Sequence, residues 1–359
     1  MNGLLAWLIL ATLSAPAVLA VPALSGTQQQ SQPAWELDWQ AGRREASVDS
    51  LQRQVENGAA DSAVQLLLAE RQLAIHRFAA ALSTAEQLGP DGRGVAAQAH
   101  YLLGHYEQAL LSLDPTDEIQ VLMLVDSHEV LGHGQQTLDA LGQARAVLGP
   151  NHPALAVAEG RAAARDGKHD EALSAFRRAL AMDPFDHMAL FGLGRSLLQL
   201  GRRDEATVAL ARHRELVPLM DQRDHALRAI DLAPMHADNH ALLGDVERKI
   251  GRFDQAEAAY VRAAALAEPG QLAPVILRHA RLLSEDRGDL TAAVALLDEA
   301  SRASGDIRLT VRCGDLLLAD GQARAALARF DLALQARPGD AQLTTRRAKA
   351  LALLQATDE

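Results

Sequence analysis

Gly160, Gly167, Ala172 and Pro184 recur 34 residues later as Gly194, Gly201, Ala206 and Pro218. Four residue types holding one spacing define a repeat, and a repeat confines the chain to architectures that grow by stacking one small supersecondary element on the next. Length then loses its usual meaning. A chain of 359 residues would ordinarily divide into about two or three globular domains, whereas a stacked array is one continuous core.

Each recurring residue has a packing reason when Pro153 is counted as the first position of one repeat and His187 as that of the next. Gly160 and Gly194 stand on a first helix where only a minimal side chain permits close approach, and Gly167 and Gly201 end that helix in the left-handed conformation. Ala172 and Ala206 are small where the second helix crosses the first, Phe176 and Leu210 fill the space between the two, and Pro184 and Pro218 close the repeat. The template fits again from Ala237 (Gly244, Gly251, Ala256, Tyr260, Ala263) and from Ile307 (Gly314, Gly321, Ala326, Phe330, Ala333, Pro338). Looser matches begin near Glu118 (Gly132, Leu141, Ala144, Gly149) and near Ala273, where Ala280 is followed by Gly288, Ala293 and Ala300 if one residue is inserted. Looser still are a repeat near Ser62, with His76-Arg77-Phe78 in place of glycine, a polar residue and an aromatic, and a truncated one near Pro90 with Gly104, Tyr106 and Ala109.

A period of 34 with glycine twice, then alanine, then proline resembles the tetratricopeptide repeat (TPR). The resemblance implies an all-α fold, an α-solenoid of helix-turn-helix units stacked into a right-handed superhelix. Composition agrees, since aromatics are 3% and no stretch alternates apolar and polar residues as a half-buried strand would.

The expected organisation runs as follows: an apolar segment 1–24, a flexible tether 25–45, degenerate N-terminal repeats 46–117, a repeat block 118–220, an irregular extra helix 221–236, a second repeat block 237–340 and a capping helix 341–359. The segment after Pro218 reads either as a kinked continuation of a second helix or as a joint dividing the array. Trp35 and Trp39, four residues apart, share a helix face, which suits a cap over the first repeat or an interfacial membrane contact.

Leu4 to Leu24 is almost wholly apolar and precedes a polar stretch rich in glutamine. Val18-Leu19-Ala20 has the small residues that signal peptidase accepts, so the segment reads as a signal peptide cleaved after Ala20; at about 20 residues it is also long enough to remain as a membrane tether through residues 4–24. Both readings place the repeats outside the cytoplasm, in the periplasm or at the outer face of the inner membrane. No Lys or Arg precedes Arg43.

The net charge of −11, from 35 basic and 46 acidic residues, argues against nucleic acid as a partner, since phosphate contacts need clustered Lys and Arg. Cys313 is the only cysteine and reads as an inert core thiol. No metal or other cofactor is expected. In His128-Glu129-Val130-Leu131-Gly132-His133 the histidines are five apart rather than four, and continuing the helix turns His133 away from His128. His100 and His105 repeat those two register positions one repeat earlier, while His236 precedes the helix start and leaves His240 alone on it. No catalytic constellation emerges, and the chain reads as a non-enzyme.

What the resemblance implies is a groove lined by first helices. Transferred to this chain, its fifth positions give an apolar floor of Leu122, Val157, Phe191, Leu277 and Val311, and its ninth positions include Arg161 and Arg195. Val157, Arg161, Phe191 and Arg195 are accordingly the expected ligand-binding residues. The partner class is a protein or peptide of unspecified identity, bound by an adaptor or scaffold that serves assembly, secretion or export in the bacterial cell envelope. The alternative is a permanent structural subunit with no exchangeable ligand.

Overall fold

The computed structural model describes residues 33–58 and 60–358. The apolar segment 1–24 and residues 25–32 of the expected tether lie outside the described residues. The chain divides into two compact blocks, Met1–Pro234 and Met235–Glu359, and in both the described residues form helix-turn-helix pairs with no strand. The first block carries α1 (Ala34–Gln40) with α2 (Arg44–Glu56), α3 (Ser62–Ala74) with α4 (Phe78–Gln87), α5 (Arg93–Leu102) with the short α6 (Tyr106–Leu110), α7 (Gln120–Val130) with α8 (Gly134–Leu148), α9 (Pro153–Arg165) with α10 (His169–Met182), and α11 (His187–Gln199) with α12 (Arg203–Leu232). The second carries α13 (Ala237–Ile250) with α14 (Phe253–Leu266), α15 (Pro269–Arg281) with α16 (Leu290–Ser304), α17 (Ile307–Ala319) with α18 (Ala323–Ala336), and α19 (Ala341–Asp358). The fold is an all-α solenoid of stacked helical hairpins.

Within each block the first helix of a pair packs on its own second helix and on the next first helix, as α9 does on α10 and α11, and α17 on α18 and α19. First helices therefore form the inner layer. Their closest approach to the second helices is set by the repeat glycines. A Cβ added at Gly160 would lie 2.7 Å from the Phe176 ring, at Gly244 2.6 Å from Tyr260, at Gly314 2.7 Å from Phe330 and at Gly194 2.6 Å from Leu210. Each of these distances is a steric overlap, so the large side chain of the second helix occupies the volume the glycine vacates. Phe176 is held from a second side as well: a Cβ on Gly192, in the following repeat, would come closer still to the ring. That reason for Gly192 is not visible within a single repeat.

First helices end in one recurrent turn. The left-handed residue donates to the carbonyl three positions back, as Gly132 does to Glu129 (3.2 Å). The N–H of the next residue reaches back five positions, as in His133 to the His128 carbonyl (2.9 Å), Lys168 to Ala163 (2.9 Å) and Arg252 to Glu247 (2.9 Å). This 6→1 bond is the Schellman motif, which favours glycine at the left-handed position. Gly132, Gly167, Gly201, Gly251 and Gly321 have φ between 75° and 103° there. In the Ser62 repeat His76 takes the place at φ 62°, the only described non-glycine residue with positive φ.

Two expectations are corrected. Pro218 does not close its repeat: α12 runs unbroken from Arg203 to Leu232 with Pro218 inside it, so the expected extra helix from 221 is an extension of α12. Pro218 is exposed, so the carbonyl whose donor it lacks can turn to water, and the burial of Leu216, Met220 and Ala226 on the opposite side holds the helix together. Second, the stretch 25–45 contains the helix α1, whose Trp35 and Trp39 pack against Val48, Leu51, Leu68 and Ile75 and stack on the Arg71 guanidinium. The one-residue insertion expected after Ala280 is present, taken up by one π-helical turn, Leu282–Asp286, at the end of α15.

At about 1.5 Å per residue a helix of this length spans about 45 Å, and the far end of α12 returns to the start of its own block. Arg44 donates to the Asp231 carbonyl (2.8 Å), and His76 Nε2 lies 3.2 Å from the Asp231 carboxylate. No helix among the described residues is long and apolar enough to cross a membrane.

Candidate functional site: the inner helix layer

On the inner layer of the first block the ninth positions of adjacent repeats meet. Arg161 on α9 binds Asp126 on α7 (3.2 Å) and Glu129, one turn further along α7 (2.6 Å); Glu129 also binds Arg165 (2.6 Å). Asp126 in turn accepts a hydrogen bond from the buried Tyr101 hydroxyl of α5 (2.8 Å). Burial pushes the Glu129 carboxyl above the usual carboxylate range, and the opposing pull of Arg161 and Arg165 limits the rise. Burial, and then the neighbouring Asp126 charge, push the Tyr101 phenol up, so it stays a neutral donor. The result is a charge ladder across α5, α7 and α9.

This arrangement reassigns the expected ligand residues. Val157 is not a groove floor: it is 4% exposed and packs with Ala156, Ala172, Phe176 and Ala189 in the repeat core. Leu122 is buried in the same way, whereas Phe191, Leu277 and Val311 remain half-exposed. Arg161 is not a free cation, because Asp126 and Glu129 offset it. Phe191 does have a partner in its own repeat: the His213 ring of α12 lies 5.0 Å from it, tilted by 37°. The Arg195 guanidinium carbon lies 5.7 Å from the centroid of the same ring; Arg195 is exposed and binds no carboxylate among the described residues. Of the three arginines at the ninth position, Arg161 is paired with Asp126 and Glu129 and Arg281 with Glu285, and the structure leaves Arg195 available.

Two partners escaped the sequence. Glu129 lies outside the ninth position, but its place three residues beyond Asp126, on the same face, puts it within reach of the next repeat's arginine. His213 occupies a position where the other strong repeats have alanine (Ala179, Ala263, Ala333), and that departure was the available signal.

The second block carries its own ladder. Asp245 accepts from the Tyr260 hydroxyl (2.7 Å) and pairs with Arg278 (3.3 Å), Glu285 joins Arg281 (2.7 Å) to Arg312 (3.0 Å), and Asp315 pairs with Arg346 (2.9 Å). Away from the inner layer, a cleft of about 520 Å³ opens between α8, α9 and α10, with Glu159 bridging Arg145 and Arg178 in its wall. Cys313 is buried; burial pushes its thiol up to about 11 and the S–H donates to Asp298 (3.4 Å), the state of a structural rather than a reactive cysteine.

The expectation about the histidine pairs is also overturned. The Nδ1 atoms of His128 and His133 are 3.3 Å apart, and those of His100 and His105 3.4 Å. The helix does not continue to the second histidine. It reverses at the left-handed glycine, and the Schellman turn folds the second ring back over the first.

Residues 157–218 match the family model described as tetratricopeptide repeat. No curated protein matches the chain. Similar solved structures include a thermophilic TPR protein of Thermus thermophilus (24% identity, covering 56% of this chain and 100% of that one, TM-score 0.31). They also include the APC/C hetero-tetramer Cut9–Hcn1 (16% identity, 86% of this chain and 59% of that one, TM-score 0.30) and MamA (18% identity, 47% and 93%, TM-score 0.30).

Proposed function

We propose that the chain is a non-catalytic protein-binding scaffold whose inner helix layer receives an acidic peptide segment at Arg195 and Phe191. The observation that supports this is the contrast between the ninth-position arginines of the two adjoining repeats at Pro153 and His187. Arg161 is already neutralised by Asp126 and Glu129, while Arg195 stands exposed over an aromatic ring. A planar guanidinium backed by a ring binds a carboxylate through parallel hydrogen bonds at small entropic cost, and arginine and aromatic residues dominate the energetics of protein interfaces.

Within that reading the scaffold works outside the cytoplasm of a bacterium, delivered or tethered by residues 4–24, and serves assembly, secretion or export of envelope components. A permanent structural subunit is the competing role. The most exposed large apolar residues stand singly on different helices, Leu111 just after α6, Val208 on α12, Val261 on α14 and Leu332 on α18, which fits an exchangeable partner better than an apolar interface buried for the life of a complex.

The experiment is recovery of partners from envelope extracts with the wild type and with a Phe191→Ala, Arg195→Glu double variant, folding being checked by circular dichroism. Loss of specific partners with the fold intact supports the groove; unchanged recovery removes it. A fusion of residues 1–33 to alkaline phosphatase tests the compartment, since the enzyme is active only after export.

A further inference from the structure

The two histidine pairs have a geometry that repeat packing does not require. They occupy the same two register positions in consecutive repeats, on either side of Gly104 and Gly132, both in left-handed turns at φ 80° and 75°. The 6→1 backbone bonds, His105 to His100 (2.8 Å) and His133 to His128 (2.9 Å), bring the two side chains together whatever they are. In other repeats the same two positions hold Asp38 with Arg43, joined at 2.6 Å, and Glu247 with Arg252, at 3.8 Å. The turn is a device for pairing side chains. Filled with two imidazoles it presents two nitrogen lone pairs side by side, with the outer ring of each pair, His105 and His133, exposed and the inner ring half-buried.

We propose that His100 with His105, and His128 with His133, are two bidentate sites for a tetrahedral divalent transition-metal ion, with Zn²⁺ as the best-fitting ion. With Zn–N bonds of about 2.0–2.1 Å, two nitrogens at tetrahedral angles lie about 3.4 Å apart, and the observed Nδ1 separations are 3.4 and 3.3 Å. A square-planar ion such as Cu²⁺ needs its adjacent nitrogens closer, at about 2.9 Å for similar bond lengths. Because the Nδ1···Nδ1 contact already holds the two rings against each other across a fixed turn, part of the side-chain ordering needed for binding is already made.

Glu86 lies 3.8 Å from Nε2 of His100, on the far side of the ring from its partner, where it favours a proton on Nε2 and leaves Nδ1 as the ligand; carboxylates commonly stand in this relation to metal-binding histidines. In the free pair one Nδ1–H donates to the other Nδ1. On binding, that proton moves to Nε2 of its own ring through solvent, so both rings ligate with no net proton release. No group of three or more metal-ligating side chains converges among the described residues, so water fills the remaining positions and each site is open to a further ligand. Such sites add ligand-binding capacity at the first-helix ends of the N-terminal repeats without being needed for folding.

The test is titration of the full-length protein with ZnCl₂ at pH 7.5, followed by calorimetry and by ¹H–¹⁵N correlation of the imidazole rings. Two ions bind, and the Nδ1 resonances of His100, His105, His128 and His133 shift together. His105→Gln and His133→Gln, both at exposed positions, each remove one ion, and the double variant removes both while leaving the circular dichroism spectrum unchanged. Lowering the pH to about 5 releases the metal from the wild type, because protonated imidazole cannot ligate. Zn²⁺ binding that persists in the double variant, or rings that stay unshifted in the wild type, would overturn the proposal and leave the pairs as hydrogen-bonded turn residues only.

Discussion

The repeats on either side of Leu148 fill the same space with different side chains. From Pro153 onward, with the exception of the Ala273 repeat and its Ala280 and Leu297, the eighth and twenty-fourth positions divide their volume unequally: Gly160 with Phe176, Gly194 with Leu210, Gly244 with Tyr260 and Gly314 with Phe330. Before it the split is more even, with Ala69 and Ala85 in one cluster, Ala97 and Leu113 in the next, and Val125 and Leu141 in the third. All six of these earlier residues are buried. The summed volumes differ, Ala69 with Ala85 being smaller than Gly160 with Phe176 and Val125 with Leu141 larger, so the fold keeps both positions buried without fixing either residue, and neighbouring side chains take up the difference. The unequal division locks the helices more tightly because a glycine lets the backbone itself touch the ring.

The largest effect that distinguishes the two regions should come from Phe176. It is fully buried and bounded by Gly160 on one side and Gly192 on the other, so neither neighbour has a side chain that could move into the hole. Phe176→Ala should cost about 3–5 kcal/mol in urea-induced unfolding. Leu113→Ala, whose neighbour Ala97 carries a Cβ and whose surroundings include the partly exposed Tyr106 and Leu102, should cost less, at about 2–3 kcal/mol. Equal losses would mean that the volume partition has no energetic consequence.

A smaller effect follows from converting one region into the other. Gly160→Ala adds a methyl group at 2.7 Å from the Phe176 ring, and overpacking of about 1–3 kcal/mol should outweigh the gain of about 1 kcal/mol in helix propensity. With Phe176→Leu already present, the repeat takes on the alanine and leucine partition of Ala97 and Leu113, and Gly160→Ala should become neutral or stabilising. A double-mutant cycle reads this directly. Additive effects would sink the idea that the two positions share one volume.

The pH response should also differ between regions. His128 and His152 both lie before Pro153, and burial lowers their pKa values. A histidine whose folded pKa lies below its unfolded value takes up a proton more readily when unfolded, so its contribution is intact above the unfolded pKa near 6.5 and is lost as the pH falls below it. Unfolding followed between pH 7.5 and 5.5 should show stability declining with acid, and His128→Gln should flatten the decline. His279 in the second block is lowered by burial too, with Glu257 opposing, so a local probe such as hydrogen exchange is needed to assign the loss to α7 and α9. Stability that rises with acid would contradict the assignment.

The same comparison accounts for what could be read from the sequence. Gly160 with Phe176 and Gly167 with its left-handed turn are legible because each role admits few residue types. Ala69 with Ala85, or Val125 with Leu141, satisfies the same role with residues found everywhere in the chain, and the family match correspondingly covers 157–218. The inner face was half legible. Register fixed which residues point inward, but whether Arg161 is free depends on Asp126 and Glu129 in the neighbouring repeat, and whether Val157 is exposed depends on how closely α9 approaches α11. Those are relations between repeats, which a pattern within one repeat does not contain. The histidine pairs are illegible for a different reason: the glycine that ends the helix is visible in the sequence, but the sequence does not show that the 6→1 bond of the turn folds the second ring back onto the first.

The smallest effect concerns the one turn that lacks its glycine. His76 stands at φ 62° where the other first helices have glycine, and holding a residue with a Cβ there costs about 1–2 kcal/mol. Against that cost stands its contact with Asp231 at the end of α12 (3.2 Å), a partly buried pair worth about 1 kcal/mol. The two terms nearly cancel, so His76→Gly alone should change stability by less than about 1 kcal/mol, whereas Gly132→Ala, which adds the strain with no compensating contact, should lose about 1–2 kcal/mol. Removing the compensation separates the terms. Asp231→Asn weakens the contact to His76 and the longer Arg44–Asp231 ion pair (3.9 Å) while leaving the backbone carbonyl that Arg44 also binds, and in that background His76→Gly should become stabilising, because relief of the left-handed strain then outweighs the remaining edge contact of the His76 ring with Phe78. If His76→Gly stays destabilising there, the histidine is held in place by something other than the returning end of α12, and the closure of the first block through Asp231 contributes little to its stability.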